Sequence, residues 1–554
     1  MASPGLETLH EVPFDPAELQ QQIDVPIDVA ALAESETITL LFDTTDQWTP
    51  FSVETEDGQT IATSENYIEF EEGEGEDGSA HFLTRVEFDP HVGSHLIVRT
   101  DGAPDVLEGR VMLCDEMVTQ RGNAGPSSLR AAIADVRDNG AVCFDPVSFA
   151  DPGMGPVELH AHISTTKSLT ITGTSPVPPE VTANGASRIL SLSGATTIRR
   201  LVLRDGNEAY GGGLIYTNGG LKLESVILRG GVANQGGAIF SEAAPLQLID
   251  TLVEDNQAWE DGGGIFTASP TSMVNSTLAY NAAGHSGGGL HTELYNATLS
   301  STTVHHNTAH NGGGVTSYGA EFRLNGGSLV YSNTAFMGGG LDLDAGLATI
   351  DGASVFANVA VDVHLPYEWQ SSWGVGGGIL TRGPLVIVGG STEVGMPNAV
   401  SGNTAAAGGG IAIMQSGEVW VRNDSAIEGN TAAVYGGGVL VHGSLTLEDD
   451  ATVDGNHADS DGGGTHGDGT ILVQDQASLA NNTAGRDGGG VYNLGTVTLS
   501  GPNVLVTNNM AATTIGTGAG GGINTVCSGL LTYFVVGGYA TGNSPDDVYA
   551  QPCI

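Results

Sequence analysis

Residues 278–290, Leu-Ala-Tyr-Asn-Ala-Ala-Gly-His-Ser-Gly-Gly-Gly-Leu, decide the fold because the chain repeats them. A copy follows at residues 304–315, Val-His-His-Asn-Thr-Ala-His-Asn-Gly-Gly-Gly-Val. In both copies an aliphatic residue stands three positions before an asparagine, and another follows three glycines. Self-similarity with a period in the twenties is typical of solenoids, in which each repeat forms one turn.

Related glycine units run through the chain from about residue 205. Triple glycines begin at Gly211, Gly262, Gly287, Gly312, Gly338, Gly376, Gly408, Gly436, Gly462, Gly488 and Gly520, and Gly236-Gly237-Ala238 is a related unit. Successive units lie 25 to 38 residues apart, and the next residue is aliphatic in every copy except at Thr465. Glycine suits solenoid corners that need a positive φ or a close approach of two backbones.

The asparagines follow a stricter pattern, two positions before an alanine and three after an aliphatic residue. They are Asn256, Asn281, Asn307, Asn333, Asn358, Asn403, Asn430, Asn456, Asn482 and Asn509. Stacked coils would align them, so that their amides hydrogen-bond between neighbouring coils inside a turn. We therefore predict a structural asparagine ladder; a ladder of ligand-binding amides is the alternative.

Short alternating runs such as Leu221-Lys222-Leu223-Glu224 lie between these two patterns and favour β-strands. Three short strands per coil, without a helical pattern, predict an all-β parallel β-helix. We place about 14 coils in residues 143–531, of which the first lack the glycine signature, and a C-terminal cap in residues 532–554.

The first part of the chain differs in composition, with few glycines and many acidic residues. We assign residues 1–30 to an N-terminal extension and residues 31–112, with their alternating runs and turn signals, to a small antiparallel β-sandwich. The acidic run in residues 69–78 is interpreted as a solvated hairpin loop, with a calcium site as the alternative.

Residues 113–142 are predicted to contain a capping helix and a linker. Leu129, Ile133 and Val136 fall on one face of a helical stretch, which Ser127 or Ser128 can cap and Gly140 can end. Such a helix would cover the first coil, because a solenoid needs closed ends.

The charge of the chain excludes some partners. Asp and Glu number 64 and Lys and Arg only 17, which gives a formal net charge of −47. Nucleic acid and anionic lipid both require clustered basic residues, so neither is an expected partner. No apolar run is long enough to span a membrane, and residues 1–5 lack the features of a signal peptide, so any secretion signal has been removed or was never encoded in this sequence. The expected location is extracellular or at the cell surface.

Two motifs resemble known surface proteins. Ser128-Leu129-Arg130-Ala131-Ala132-Ile133 resembles the C-S-L-R-E-A-I segment of bacterial surface β-helix proteins, with Ser128 in place of cysteine and Ala131 in place of glutamate. Gly236-Gly237-Ala238-Ile239 and Phe356-Ala357-Asn358 resemble the GGAI and FxxN repeats of polymorphic outer-membrane proteins. The resemblance covers about residues 122–550 and implies a right-handed, surface-associated β-helix, often an adhesin.

The corner between each asparagine and the next glycine unit carries the candidate binding residues. They are Trp259, His285, His310, Phe336, Tyr367, Trp369, Trp373 and Tyr435, and the largest insertion in the repeats lies at the same corner. Aromatic side chains there suit stacking on sugar rings or anchoring a protein. A corner folded onto its own coil is the alternative.

Two further sets of residues are candidates for metal binding and for disulfides. Asp459, Asp461, Asp468 and Asp487 are potential calcium ligands on neighbouring coils, and calcium is the only cofactor considered. The four cysteines suggest two local disulfides, Cys114 with Cys143 and Cys527 with Cys553, of the kind found in extracellular proteins, and four buried thiols are the alternative.

The sequence favours a non-enzymatic function, although β-helices also include polysaccharide lyases and glycoside hydrolases. Those enzymes bring carboxylates and a basic residue together on one patch. The few arginines and the two lysines of this chain are scattered among different coils, so no catalytic residue is assigned. We therefore expect a structural, adhesive or glycan- or protein-binding protein, with a polysaccharide-processing enzyme as the alternative.

Overall fold

The computed structural model describes most of the chain from Gln22 onward. The backbone is described for residues 22–26, 38–45, 51–55, 60–63, 68–74, 80–88, 95–100 and 109–550, except 176, 362–373, 390–398, 513–519, 526–530, 535–538 and 545–547. Side chains are described from Cys114 onward within those ranges, except 399, 531–534, 539 and 549–550. The chain divides into two compact units, residues 1–206 with 217–227, and residues 207–216 with 228–554.

The first unit begins with two four-stranded antiparallel sheets. In sheet order, one contains Gln22–Pro26, His95–Thr100, Phe51–Thr55 and Thr60–Thr63, and the other contains Ile68–Glu74, Ala80–Phe88, Ile38–Thr45 and Gly109–Cys114. Strand Gln22–Pro26 corrects our assignment of residues 1–30 to an extension, since it pairs with His95–Thr100. Only the backbone is described here, so the packing of the sheets into a sandwich stays a prediction.

A short helix, Leu129–Asp135, lies near the start of the solenoid. Ser128 is its N-cap, and the Oγ of Ser128 accepts a hydrogen bond from the backbone N–H of Ala131 at 3.3 Å. Leu129 and Ile133 are buried on the inner face of the helix, as their spacing predicts.

The helix ends at Asp135, with Val136 as its C-cap, and Gly140 begins a strand instead of ending the helix. Strand Gly140–Phe144 pairs in parallel with Glu116–Val118, so the solenoid starts inside residues 113–142, which we had assigned to a cap and linker. Cys114 and Cys143 form a disulfide that joins the last antiparallel strand to this first parallel pair. Cys527 and Cys553 lie outside the described residues.

Three parallel sheets, here called sheets I, II and III, form the walls of the solenoid in the first unit. The strands are Glu116–Val118, Gly140–Phe144, Leu169–Thr172, Thr196–Arg199 and Leu221–Glu224 in sheet I, Val157–Glu158, Glu180–Thr182 and Val202–Arg204 in sheet II, and Ile163–Thr165 and Leu190–Leu192 in sheet III. The other helical segments are Pro146–Phe149 and the 3₁₀ turn Pro152–Met154. None of the helices in the described ranges has the length and apolar character needed to cross a membrane.

The same three sheets build the second unit. Sheet I contains Leu246–Ile249, Thr271–Val274, Ala297–Ser300, Glu321–Asn325, Leu347–Asp351, Pro384–Val388, Glu418–Arg422, Ser444–Leu447, Thr470–Gln474, Thr496–Ser500 and Leu531–Phe534. Sheet II contains Leu252–Glu254, Thr277–Ala279, Thr303–His305, Leu329–Tyr331, Ser354–Phe356, Ala399–Ser401, Ala426–Glu428, Thr452–Asp454, Ser478–Ala480, Leu505–Thr507 and Tyr539–Thr541. Sheet III contains Ile239–Glu242, Ile265–Ala268, Leu290–Glu293, Val315–Tyr318, Leu341–Leu343, Ile379–Thr381, Ile411–Ile413, Val439–Val441, Thr465–Gly467, Val491–Asn493, Ile523–Thr525 and Val548–Ala550. Strands Ile215–Thr217 and Ile227–Arg229 contain unit boundaries. Short corner strands of two to five residues are Val232–Ala233, Gln257–Ala258, Ala282–Ala283, Thr334–Ala335, Val359–Ala360, Thr404–Ala407, Thr431–Tyr435, His457–Ala458, Thr483–Ala484 and Met510–Ala511. The prediction of an all-β parallel β-solenoid of about 14 turns is confirmed.

The interior of each coil is filled by the aliphatic rows that the repeats predict. Val253, Leu278 and Val304 occupy equivalent positions in consecutive strands of sheet II, and each is fully buried. Because alternate residues of a strand point to opposite faces, the short alternating runs direct one apolar set into the core at every coil.

The asparagines form a continuous ladder inside the turn that follows sheet II. The Nδ2 of Asn281 donates to the Oδ1 of Asn307 at 3.0 Å and to the carbonyl oxygen of Val253 at 2.9 Å. The same Oδ1 also accepts from the backbone N–H of Asn281 at 2.9 Å. The pattern repeats from Asn256 to Asn509 and continues to Asn543, which the sequence rule missed because no alanine follows it. The ladder supplies partners for amides buried in every turn.

The C-terminal segment, residues 532–554, corrects the prediction of a separate cap. Its strands Leu531–Phe534, Tyr539–Thr541 and Val548–Ala550 pair in parallel with the preceding strands of sheets I, II and III. The described strands of this segment therefore add one more strand to each of the three sheets.

Candidate functional site: the corner around Trp259

The corner between the asparagine ladder and sheet III carries two strongly exposed aromatic residues in the second unit. Tyr210 is 82% exposed and Trp259 is 66% exposed. Trp259 follows Ala258, whose side chain is buried, so the alternation of the short strand directs the indole outward.

Gly284 occupies the position next to Trp259 on the following coil. A Cβ at Gly284 would lie 2.1 Å from the carbonyl oxygen of Trp259, so this close approach requires glycine. The N–H of Gly284 donates to the carbonyl oxygen of Ala258 at 3.0 Å, which fixes the two segments side by side. The coil above Trp259 therefore presents no side chain at this position.

His285, His310 and Phe336 form a stack along the same corner. The ring centroids of His285 and His310 are 6.5 Å apart, and those of His310 and Phe336 are 5.1 Å apart, with near-parallel planes. The side chain of His285 is 64% exposed, whereas His310 and Phe336 are half-buried. Stacked rings offer mainly their edges to solvent, so Trp259 is the better platform for a sugar ring in this group.

His285 is held by two oxygen atoms. Its Nδ1 lies 3.1 Å from the Oδ1 of Asp261 and 3.2 Å from the Oγ of Ser286. A serine–histidine–carboxylate relay needs the serine and the carboxylate on opposite ring nitrogens. Because both oxygens contact the same nitrogen, this group positions the imidazole but is not a nucleophilic triad.

A row of residues on the outer face of sheet III lies beneath the corner and was missed by sequence reasoning. Tyr216, Phe240, Phe266 and His291 stack in order, with centroid separations of 5.9, 4.9 and 5.1 Å. Phe266 is only 5% exposed and His291 only 2% exposed. The signal was present, because each of the last three follows the aliphatic residue after a glycine unit.

His291 is buried between two carboxylates without a hydrogen-bond partner for either ring nitrogen. Its Nδ1 lies 4.0 Å from the Oδ1 of Asp261, and its Nε2 lies 3.5 Å from the Oε1 of Glu293. Burial lowers the pKa of His291 below its usual value, although Asp261 and Glu293 act in the opposite direction. A neutral imidazole leaves the charge of these two carboxylates uncompensated.

Asp342 continues this row two coils further on and is completely buried. Its Oδ1 accepts a hydrogen bond from the Nη1 of Arg382 at 2.5 Å, while its Oδ2 has no hydrogen-bond partner. Burial raises the pKa of Asp342 to about 6, and Arg382 opposes this shift. Burial also raises the pKa of nearby Tyr318.

Tyr435, the last predicted aromatic residue in the described corners, packs against His466, a half-buried histidine. The ring of His466 lies between Tyr435, at 4.5 Å, and Tyr492, at 5.1 Å. Burial lowers the pKa of His466 to about 4. Tyr367, Trp369 and Trp373 fall outside the residues that the structure describes.

The four aspartates predicted as calcium ligands are engaged by other side chains. Asp461 forms a two-point ion pair with Arg486, Asp468 lies 2.7 Å from the Nδ1 of His442, and Asp459 lies 3.0 Å from the Nε2 of His457. Asp487 approaches Arg486 at 3.6 Å. Within the described part of the chain, no three His, Cys, Asp or Glu side chains gather in one group, and calcium binding by these aspartates stays a prediction.

A second aromatic group lies on the outer face of sheet II. His305, Tyr331 and Phe356 stack at separations of 5.0 and 5.1 Å, and Tyr280 stacks on His306 at 4.9 Å. The rings of this group stack on one another, as in the His285 stack, whereas the indole of Trp259 is exposed.

The burial of His466 predicts a pH-dependent loss of stability. The pKa is about 6.5 in the unfolded chain and about 4 in the folded one, so the folded state disfavours the protonated ring. Stability is complete above about pH 6.5 and is lost as the pH falls towards about 4. We expect the His466→Phe variant, which keeps an aromatic ring in the stack, to gain about 3 kcal/mol relative to the wild type over that range. Urea unfolding of both proteins across the range measures the difference, and parallel pH profiles would contradict the assignment.

Comparison with known proteins gives only distant structural similarity. Neither protein-family models nor curated proteins yield a match. The chain is similar in structure to the catalytic unit of a thermostable GH87 alpha-1,3-glucanase from Streptomyces thermodiastaticus strain HF3-3, with 14% identity, a TM-score of 0.30, and coverage of 98% of this chain and 93% of that one. It is also similar to a GH87 alpha-1,3-glucanase catalytic domain in complex with tetrasaccharides, with 10% identity, a TM-score of 0.24, and coverage of 98% and 91%. TM-scores this low leave the function to be argued from the residues of this chain.

Proposed function

We propose that the protein is an exported or cell-surface, non-enzymatic β-helix protein that binds a glycan at the corner around Trp259. The observation that carries this proposal is the 66% exposed indole of Trp259 beside a coil that presents only Gly284. A sugar ring stacks on an aromatic face through its apolar C–H side, and a flat, exposed indole on a rigid scaffold suits this contact.

Neighbouring polar groups supply hydrogen bonds for sugar hydroxyls. Asp261 and Ser286 hold His285 by its Nδ1, and the exposed imidazole keeps its Nε2 for an external partner. Repeating coils fix these groups at regular spacing, so little conformational entropy is lost when a chain-like ligand binds.

An extracellular location is supported by the Cys114–Cys143 disulfide, because such bonds persist mainly in oxidising compartments. The resemblance to bacterial surface β-helix proteins points in the same direction. An adhesive role follows if the bound glycan belongs to another cell surface.

Polysaccharide cleavage is less well supported than binding. A glycoside hydrolase needs two carboxylates that reach both sides of the scissile bond. Asp342, whose raised pKa would suit a general acid, is fully buried and paired with Arg382, and Asp461 is 1% exposed and paired with Arg486. Each of these two carboxylates pairs with an arginine side chain instead of facing a shared binding surface.

The test is binding of the wild type and the Trp259→Ala variant to a glycan panel and to glycan-bearing cells. We expect the variant to lose at least about fivefold in affinity, since an aromatic anchor typically contributes more than about 1 kcal/mol. Trp420→Ala is the matched control, because Trp420 is half-buried in sheet I away from the corner. Unchanged binding of Trp259→Ala, or turnover in a polysaccharide depolymerisation screen with and without Ca²⁺, would contradict the proposal.

A further inference from the structure

The coils around Trp259 have an unusual charge. Residues 230–322 contain eight Asp and Glu residues and neither lysine nor arginine. The residues of this stretch that can carry a positive charge are five histidines, which do so only when protonated. A surface of one sign with low-dielectric walls concentrates ligands of the opposite charge and repels those of the same charge.

Three carboxylates belong to the two coils that carry Trp259 and His285, and one of them, Asp261, contacts His285. Glu260 follows Trp259 and is exposed, Asp261 is half-buried with 16% of its side chain exposed, and Glu293 is 44% exposed at the end of a sheet III strand. The carboxylates of Asp261 and Glu293 flank the ring of His291.

His291 is the independent observation that points to a ligand. Its side chain is 98% buried, both ring nitrogens lack hydrogen-bond partners, and they are directed towards the carboxylates of Asp261 and Glu293. Burial lowers the pKa of this imidazole, which disfavours the protonated form that would balance the two carboxylates. The site therefore retains net negative charge beside an exposed aromatic face.

We infer that the ligand of this corner is a glycan that carries protonated amino groups, such as a chain of glucosamine residues. This inference rests on the proposed glycan-binding function and specifies its ligand. The sugar ring stacks on Trp259, and its ammonium group pairs with the carboxylates of Glu260 and Asp261. A cation also gains from lying near the face of an indole. The net charge of −47 disfavours a polyanionic glycan, because like charges repel.

Calorimetric titration with three oligosaccharides of equal length tests the inference. The ligands are a glucosamine oligomer, the corresponding N-acetylglucosamine oligomer and a glucose oligomer, at a pH below the pKa of the free amine and at physiological salt. We expect the glucosamine oligomer to bind at least about tenfold more tightly than the other two, with saturable stoichiometry. Equal affinities for the three oligomers would overturn the inference while leaving the proposed function intact, and a lack of binding by all three would overturn both.

Substitutions at the corner distinguish a specific ion pair between the ammonium group and a carboxylate from general attraction of a cationic ligand to an acidic protein. The Glu260→Gln variant leaves the contact between Asp261 and His285 in place and is expected to lose most of the preference for the amine while keeping the affinity for the neutral oligomers. Trp259→Ala is expected to weaken binding of all three. The matched control is Asp424→Asn, which removes the same charge from an exposed site in another corner. An equal loss in this control would show non-specific attraction to an acidic protein and overturn the inference.

Discussion

Replacing Asn333 with alanine is expected to destabilise the solenoid by about 3–5 kcal/mol. The Nδ2 of Asn333 donates to the carbonyl oxygen of Val304 at 2.9 Å and to the Oδ1 of Asn358 at 3.0 Å. Its Oδ1 accepts from the backbone N–H and the Nδ2 of Asn307, at 2.9 and 3.0 Å. Alanine leaves several of these buried groups without partners, and each costs roughly 1–3 kcal/mol.

Urea unfolding measures this effect, with Asn296→Ala as the matched control. Asn296 is exposed, and its Nδ2 contacts Glu321 only at 3.4 Å, so its removal should cost less than about 0.5 kcal/mol. If the two variants have equal stability, the ladder is not a major source of stability. The Asn333→Asp variant adds a second check, because it keeps the acceptor and loses both donors.

Replacing Gly437 with alanine is expected to cost at least about 4 kcal/mol or to prevent folding. A Cβ at this position would lie 2.3 Å from the carbonyl oxygen of His457 and 2.5 Å from that of Gly463, both on the next coil. These contacts are far inside the van der Waals limit, and backbone atoms held by two hydrogen-bonded coils cannot move aside cheaply. The coils would have to separate at a fully buried position.

Thermal and urea unfolding of Gly437→Ala check this expectation, with soluble yield as the readout if the variant does not fold. Gly122→Ala is the control, because a Cβ there has only one neighbour, at 3.8 Å. A Gly437→Ala protein as stable as the control would show that the glycine units are not required for close coil contact.

The periodic features of the fold could be predicted because they follow directly from local chemistry. A coil repeats its backbone geometry, so the residues that geometry demands recur at fixed intervals, and the rows through Val253 and Asn281 were visible in the sequence. The prediction failed where a coil lacks these markers. Asn543 occupies the ladder without a following alanine, and the strands Leu531–Phe534, Tyr539–Thr541 and Val548–Ala550 extend the three sheets although residues 532–554 contain no triple glycine.

The site was only partly predictable, because exposure depends on the neighbouring coil. Trp259 and Tyr435 occupy related corners, yet Trp259 is 66% exposed while Tyr435 packs on His466. The difference arises from the neighbours, Gly284 in one case and an aromatic row in the other. The burial of His291 and Asp342 on the outer face of sheet III was also not evident, since polar residues at outward strand positions ordinarily face solvent.

The most direct test of glycan binding at Trp259 is to observe this residue while a glycan binds. The protein has five tryptophans, so incorporation of fluorotryptophan gives a ¹⁹F NMR spectrum simple enough to assign with single Trp→Phe variants. Titration with a glycan that the protein binds should shift or broaden the Trp259 signal in a saturable way and leave the Trp420 signal unchanged. A Trp259 signal that stays constant at saturation would contradict the account.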